Sequence, residues 1–412
     1  MRAFKDSGIE WLGEIPQHWE IKPLKAILNQ RNEQNNNLEL KTILSLVKDI
    51  GVIPYEEKGN IGNKSKDDLQ GYKIARINDL VLNKMNAVIG SLGVSAYNGL
   101  VSPIYLVFYI NNPNYLMGYY SYLFQIKSVQ KFLRTFAYGI MEIRESIDYL
   151  DFKKMFLPIP PLEEQKAIAD FLDSKCTQID NFCEKKQKLI TLLNEKKQSL
   201  INECVTKGLD TNVTFKDSGI EHLGEIPKHW EIKKLKYIVS LQNRKSNNID
   251  FRIGLENIES KTGKYIPTNE IMFEEDGIGF EKGDILFGKL RPYLAKVFLA
   301  DRNGVCVSEF LVLRTSRADN NFLKFLMLSP SFIDIVDSST YGTKMPRASW
   351  DFIGNLKIPI PPLKEQEQIA QFLDSEISKI DKIIEKTKKQ IKLIKEYKNT
   401  LINQAICGRI NL

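Results

Sequence analysis

Residues 4–22 read FKDSGIEWLGEIPQHWEIK, and residues 215–233 read FKDSGIEHLGEIPKHWEIK. Seventeen of the nineteen positions are identical, at an offset of 211. A second pair follows in the same order: PIPPLEEQKAIADFLDS at 158–174 and PIPPLKEQEQIAQFLDS at 359–375, at an offset of 201. Chance does not place two such pairs in register along one chain. The protein is a tandem duplication, and the repeat fixes the architecture before any local reading.

Each copy has the same parts: the opening motif, roughly 125–135 divergent residues, the proline-rich punctuation and a long helix. The divergent stretches share a skeleton. Asp79-Leu-Val-Leu-Asn-Lys84 aligns with Asp284-Ile-Leu-Phe-Gly-Lys289, and Val101-Ser102 with Val307-Ser308. Tyr138-Gly139 and Arg144 align with Tyr341-Gly342 and Arg347. Short β-rich runs (Ile104–Ile110, Val305–Leu313) alternate with turn residues, and each stretch holds one expected helix, at Tyr115–Phe124 and Asn321–Leu328. The pattern predicts an α+β domain in each copy, with domains at 1–160 and 208–361 and helical segments at 161–207 and 362–412.

The helices carry the strongest periodicity. Pro160-Pro161-Leu-Glu-Glu suits a helix start, where proline is tolerated and acidic side chains meet the positive end of the helix. No proline or glycine follows until Gly208, placed as a stop. Leu172, Cys176, Ile179, Cys183, Lys186, Ile190, Leu193, Lys197, Leu200 and Cys204 alternate spacings of four and three. Leu373, Ile377, Ile380, Ile384, Thr387, Ile391, Ile394, Lys398, Leu401 and Ala405 repeat them. A sustained 3.5-residue apolar period is a coiled-coil signature. A helix of about 60 Å is too long merely to cap its own domain, so the two are expected to pair with each other. The chain returns between them, which allows an antiparallel pairing. The expected seam holds Leu172, Ile179, Ile190, Leu193 and Leu200 against Leu373, Ile380, Ile391, Ile394 and Leu401.

Composition sets the outer bounds. The 412 residues, 43% hydrophobic and 26% charged, are ordinary for a globular protein of two or three domains. No run approaches the ~18 apolar residues of a membrane span, so no membrane partner is expected. The start, MRAFKDSGIEWLG, lacks the apolar core of a signal peptide, which makes a cytoplasmic location the expectation. Five cysteines stand singly, three of them on the helix stripe, and suit a reduced compartment. Three histidines and no paired cysteines argue against a zinc site. A net charge of +7 is compatible with a phosphate-bearing partner without requiring one.

Three motifs suggest chemistry and fall short. Gly283-Asp-Ile-Leu-Phe-Gly288-Lys289 has phosphate-loop spacing, but Leu290 stands where the magnesium-binding hydroxyl belongs. Asn112-Pro113-Asn114-Tyr115 lacks the second proline of an adenine methyltransferase motif, and its asparagine is read as a helix cap. His18-Trp19 and His229-Trp230 recur without a nucleophile, so a tryptophan packed over a turn is favoured. The two copies share scaffold and punctuation but no acid, base or metal cluster. Two binding domains selected for different targets diverge in this way.

On the doubled KDSGIEWLGEIPQHWE and PIPPLEEQKAIADFLD motifs, and on the order domain, helix, domain, helix, the chain resembles the specificity subunit of type I restriction–modification enzymes. The resemblance covers essentially the whole chain. It implies two target-recognition domains joined by an antiparallel coiled coil with approximate two-fold symmetry, each reading one half of a split site in double-stranded DNA. Two methyltransferase subunits and the restriction subunits are the implied partners. S-adenosylmethionine, ATP and magnesium belong to those partners, and this chain is expected to have no catalytic activity and no cofactor of its own. Residues suited to contact DNA by donor chemistry are Lys84 and Asn86 with Lys289 and Arg291, and Tyr138 and Arg144 with Tyr341, Lys344 and Arg347. Lys64, in a basic loop with Lys58, Asn63 and Lys66, has no counterpart in the second copy. A methyltransferase or nuclease acting alone would need a donor loop or a metal cluster, and a purely structural scaffold would show no salt-dependent DNA affinity.

Overall fold

The computed structural model describes residues 2–48, 50–59, 69–138, 146–221, 223–246, 251–268, 277–342 and 344–412. Its helices, in chain order, are α1 (Met117–Gln125), α2 (Lys127–Leu133), α3 (Tyr149–Phe152), α4 (Leu162–Lys207), α5 (Asn320–Leu328), α6 (Pro330–Ser338), α7 (Trp350–Asn355) and α8 (Leu363–Ile406). The chain divides into two compact units, residues 1–185 with 390–412, and residues 186–389. Each unit is an α+β domain with a stretch of α4 and a stretch of α8.

In the first unit the opening motif is a small hairpin, with Phe4 opposite Pro16. The strand that follows it, Glu20–Pro23, pairs with Phe156–Ile159, so the opening motif and the proline punctuation are brought together. A four-stranded antiparallel sheet runs Asn29–Gln30, Tyr105–Tyr109, Leu80–Asn83, Leu92–Val94. On it packs an aromatic cluster of fully buried Trp19, Phe108, Tyr119, Tyr120, Phe124 and Phe152, several pairs meeting edge to face. Burying each such ring contributes about 1.5–3 kcal/mol, so this cluster dominates the core.

The second unit repeats the plan, with the sheet order Ser240–Gln242, Phe310–Arg314, Ile285–Gly288, Val297–Leu299. The ladders also fix which residues correspond. Gly99 faces Ala75 as Gly304 faces Phe280, and Tyr105 faces Asn83 as Phe310 faces Gly288. Ser102 therefore matches Val307, and Ile104 matches Glu309. The sequence alignment of Val101-Ser102 with Val307-Ser308 is one residue out, a slip that the repeated dipeptide invites and that the strand pairing corrects.

The long helices have 46 and 44 residues. In the first unit Leu172, Cys176 and Ile179 share one apolar cluster with Leu401, Ile402, Ala405 and Ile406, and Lys398 Nζ lies 2.7 Å from Asp180. The start of α4 thus lies against the end of α8. In the second unit Ile201, Cys204 and Val205 cluster with Ile369, Ala370 and Leu373, and Lys197 Nζ lies 2.9 Å from Asp381. The helices run antiparallel in each unit. None of the twenty stripe positions is exposed, and the two polar residues fully buried among them, Lys197 and Thr387, find partners in Asp381 and the Ile383 carbonyl.

Each long helix is seated by its first turn. Glu164 accepts from Trp19 Nε1 (3.0 Å) and contacts His18 Nε2 (2.5 Å) and Arg2; Glu365 does the same for Trp230 (3.1 Å) and His229 (2.8 Å). The neighbouring glutamines are buried: Gln165 accepts from the Leu116 N–H and donates to the Pro160 carbonyl, and Gln366 serves Asp319 and Pro361 likewise. Burial opposes ionisation of Glu164, yet His18, Trp19 and Arg2 hold its carboxyl below the ordinary value. Its contribution is present at neutral pH and is lost as pH falls through that lowered value. The Leu116–Asp319 match also corrects the reading of Asn112. Asp319 caps α5 by accepting from the Phe322 N–H, but α1 begins after Leu116, and Asn112 only closes a local turn with the Asn114 N–H.

Candidate nucleic-acid interface

In the second unit the strand Ile285–Gly288 runs into the turn Lys289–Arg291. Backbone bonds lace this turn to the segment 341–348. The Ala348 N–H donates to Lys289 O (3.0 Å), the Arg291 N–H to Pro346 O (2.7 Å), and Tyr341 and Arg347 exchange a pair of bonds (3.2 and 3.1 Å). Lys289, Arg291, Tyr341 and Arg347, far apart in sequence, are therefore brought to one locus, with Lys344 in the same segment. Tyr341, Lys344 and Arg291 are exposed there, and Lys289 and Arg347 are half-buried. The Arg347 guanidinium is forked by Glu309, Nη2 to Oε1 at 2.7 Å and Nε to Oε2 at 3.2 Å.

Arg291 sits in the left-handed region at φ 52°, directly before Pro292, and Ala295 at φ 47° ends the same short turn. A side chain in that conformation costs about 1–2 kcal/mol, and proline disfavours helical geometry in the residue before it. Such strain persists where the surroundings impose it and is often functional. Arg291→Gly is expected to raise unfolding stability by about 1 kcal/mol while weakening DNA binding. Thermal melting and a DNA titration on the same variant check this, and equal binding with higher stability would leave the arginine without a role.

In the first unit the same lacing holds Lys84, whose carbonyl accepts from the Ile147 N–H at 3.0 Å, and Tyr138 pairs with Ser146. Ser146, not Arg144, is thus the match of Arg347. The interval from the tyrosine to its partner is two residues longer in the first copy, which a sequence alignment of arginine with arginine passes over. Arg144 and Lys64 lie outside the described residues. Tyr138 is 59% exposed, with its hydroxyl 3.0 Å from Asp151, and Asn86 is exposed in the turn beyond Lys84. A cavity of about 460 Å³ opens beside Lys84, lined also by Gln30, Lys73, Ile104, Ser146 and Tyr149. Lys73, missed in the sequence, donates to the Tyr105 carbonyl at 2.7 Å, and burial with the nearby Lys84 charge lowers its pKa.

At the opposite end of each lysine-bearing strand an aspartate ties the sheet together. Asp79 (2% exposed) takes Arg31 at 2.7 and 3.0 Å, and its match Asp284 takes Arg314 at 2.8 Å through both oxygens. Arg31 follows the edge strand Asn29–Gln30 and Arg314 ends the strand Phe310–Arg314, so the motif Asp-x-x-x-x-Lys keeps its acid for the scaffold and its lysine for the surface. Among the described residues no group of histidine, cysteine and carboxylate side chains is arranged to hold a metal, and no helix is long and apolar enough to cross a membrane.

The family model for the type I restriction modification DNA specificity domain matches residues 16–194 and 227–393, one match per copy. The chain is 29% identical to the type I restriction enzyme MjaVIII specificity subunit of Methanocaldococcus jannaschii, over 71% of this chain and 70% of that one. It is 26% identical to the putative MjaX specificity subunit of the same organism, over 97% and 96%. Among solved structures, a chain from a study of complex assembly and conformational transition in a type I restriction–modification system superposes with a TM-score of 0.72 at 12% identity, covering 96% of this chain and 99% of that one.

Proposed function

This chain belongs to the type I restriction–modification DNA specificity family, and on that premise we propose how its parts divide the work. It is the sequence-reading subunit of such a system. Each α+β domain reads one half of a bipartite site in double-stranded DNA. The antiparallel helices set the unread spacing and offer docking surface to two methyltransferase subunits, with restriction subunits completing the nuclease. S-adenosylmethionine, ATP and magnesium serve those partners, and this chain contributes recognition without catalysis, in the cytoplasm.

The observation that carries the reading is the matched locus. In both copies the strand after the buried aspartate delivers a lysine, Lys84 or Lys289, into a turn laced to a second segment. A retained lysine suits a phosphate, which every sequence presents, and changing neighbours suit base edges, which differ. Binding through such lysines falls steeply with salt. Arg291, Tyr138, Tyr341, Lys344 and Asn86 supply further donors around them.

Exchange of residues 23–157 for the matching stretch of another family member tests the division. Sequencing of methylated adenines in cells carrying the chimera with its methyltransferase is expected to show one half-site changed and the other kept. A chimera that alters both halves together would refute the assignment of one half to each domain.

A further inference from the structure

The two domains carry different side chains on a matched scaffold. Around the retained Lys84 and Lys289, the strand registers match Lys73 with Ile278, Ile104 with Glu309, and Ser146 with Arg347. The first domain therefore has an open cavity with a second lysine, where the second domain has an ion pair.

We propose that Glu309 is the positioning residue of the second domain, holding Arg347 as a rigid fork that selects a guanine in its half-site. This rests on the reading of the chain as a DNA specificity subunit. Arginine offers two edges that can each make paired hydrogen bonds. Glu309 occupies the side edge, Nε and Nη2, at 3.2 and 2.7 Å. The end edge, Nη1 with the remaining Nη2 hydrogen, has no partner among the described residues. Two parallel N–H donors on that edge match the O6 and N7 acceptors of guanine in the major groove.

The backbone holds the fork as firmly as the carboxylate does. Arg347 is bridged to Tyr341 on one side and Leu290 on the other, and the Glu309 carbonyl accepts from the Lys289 N–H at 2.9 Å. Acid and base are thus both tied to the lysine turn. The Arg347 side chain remains 39% exposed and that of Glu309 24%, so the base is open to a ligand while its orienting acid is largely covered. Fixing the donor plane before binding removes an entropic cost that a free surface arginine would bear on contact. Ile104 and Ser146 cannot make this pair, so the first domain serves as an internal control.

The test is the methylation motif of the complete complex, read for the parent chain and for E309Q, R347A and the charge-exchanged double variant E309R/R347E. The parent is expected to give a bipartite motif with a guanine, on either strand, in the half-site of the second domain. In R347A the preference for that guanine falls about tenfold or more. E309Q relaxes the same position, and the other half-site is unchanged in both. The exchanged pair keeps the ion pair and the parent melting temperature but loses the guanine preference. A guanine preference retained in E309Q while R347A loses it overturns the positioning role. Retention in the exchanged variant shows a structural pair only and overturns the fork, as does a variant that melts like the parent yet methylates nothing. A parent with no bipartite motif overturns instead the functional reading beneath it.

Discussion

Replacing Asp381 with alanine is expected to lower the melting transition of the second unit by about 6–20 °C, whereas the equivalent change at Asp180 is expected to move the first unit by only a degree or two. The two aspartates are copies of each other in the repeat, each facing the lysine of the other helix. Their surroundings differ. Lys197 is 5% exposed and Asp381 17%, so removing the acid leaves an ammonium in the seam without its counter-charge. Breaking a buried pair from one side costs about 3–5 kcal/mol. Lys398 and Asp180 are 24% and 64% exposed, and water and salt replace most of what that pair contributes, about 0–1 kcal/mol. Lys264 also reaches Asp381 at 2.6 Å; as a second cation it offers Lys197 no counter-charge once the acid is gone, and at 53% exposure its own charge is taken up by water.

The pair also sets a pH dependence. Burial raises the tendency of Asp381 to hold a proton, but Lys264 and Lys197 hold its carboxyl below the ordinary value. The stabilisation is therefore full at neutral pH and is lost as pH falls through the lowered folded-state value. The double variant Lys197→Met with Asp381→Leu removes both charges together and is expected to recover most of the stability, because well-packed apolar groups replace buried pairs at little cost. Equal, small losses at Asp381 and Asp180 would mean that Lys197 reaches water and that its burial is without consequence.

What the sequence made legible divides along physical lines. The duplication, the α+β character of the copies and the two long helices follow from repeated words and a 3.5-residue period, signals that local chemistry writes directly into the chain. Lys197 and Lys398 fell on the predicted stripe with no partner assigned to them. Only the antiparallel packing brings each to the aspartate of the opposite helix. The glutamates after Pro160-Pro161 were read as favourable charge at a helix start, and the glutamine that follows them was not read at all. In Pro-Leu-x-Glu-Gln the work of the glutamate and glutamine is to grip Trp19 or Trp230 and the start of α1 or α5, contacts more than forty residues distant in sequence. At the candidate interface the lysine turns and the tyrosine segments were legible as separate motifs. Their convergence is a tertiary fact, and so is the match of Arg347 with Ser146. Glu309 and Lys73 carried no signal, because one lies in an ordinary turn and the other opens an ordinary strand.

Gly408→Ala is expected to destabilise the first unit by about 2–5 kcal/mol, while Gly8→Ala costs only about 1–2 kcal/mol. Both glycines are left-handed, at φ 68° and 67°, so a side chain at either meets the same backbone penalty. A Cβ at Gly8 would meet nothing within 4 Å. At Gly408, just past the end of α8, it would lie 2.5 Å from Pro16 Cγ and 2.8 Å from the Trp19 ring. Neither neighbour is a flexible tip. Pro16 is fixed in the opening hairpin, and Trp19 is fully buried, bonded to Glu164 and set edge-on against Tyr119. Relief requires the indole to move, which opens the aromatic core and releases the glutamate that seats α4. Overpacking of this kind adds about 1–3 kcal/mol to the conformational term. Gly208, the counterpart after α4, stands 3.1 Å from Glu365 and 3.2 Å from Trp230 at its virtual Cβ, so Gly208→Ala falls between the other two. Denaturant unfolding of the three variants gives the order Gly8, Gly208, Gly408 in rising cost. If Gly408→Ala unfolds like Gly8→Ala, the tryptophan yields cheaply, and the helix ends are not held by the opening motifs in the way the packing indicates.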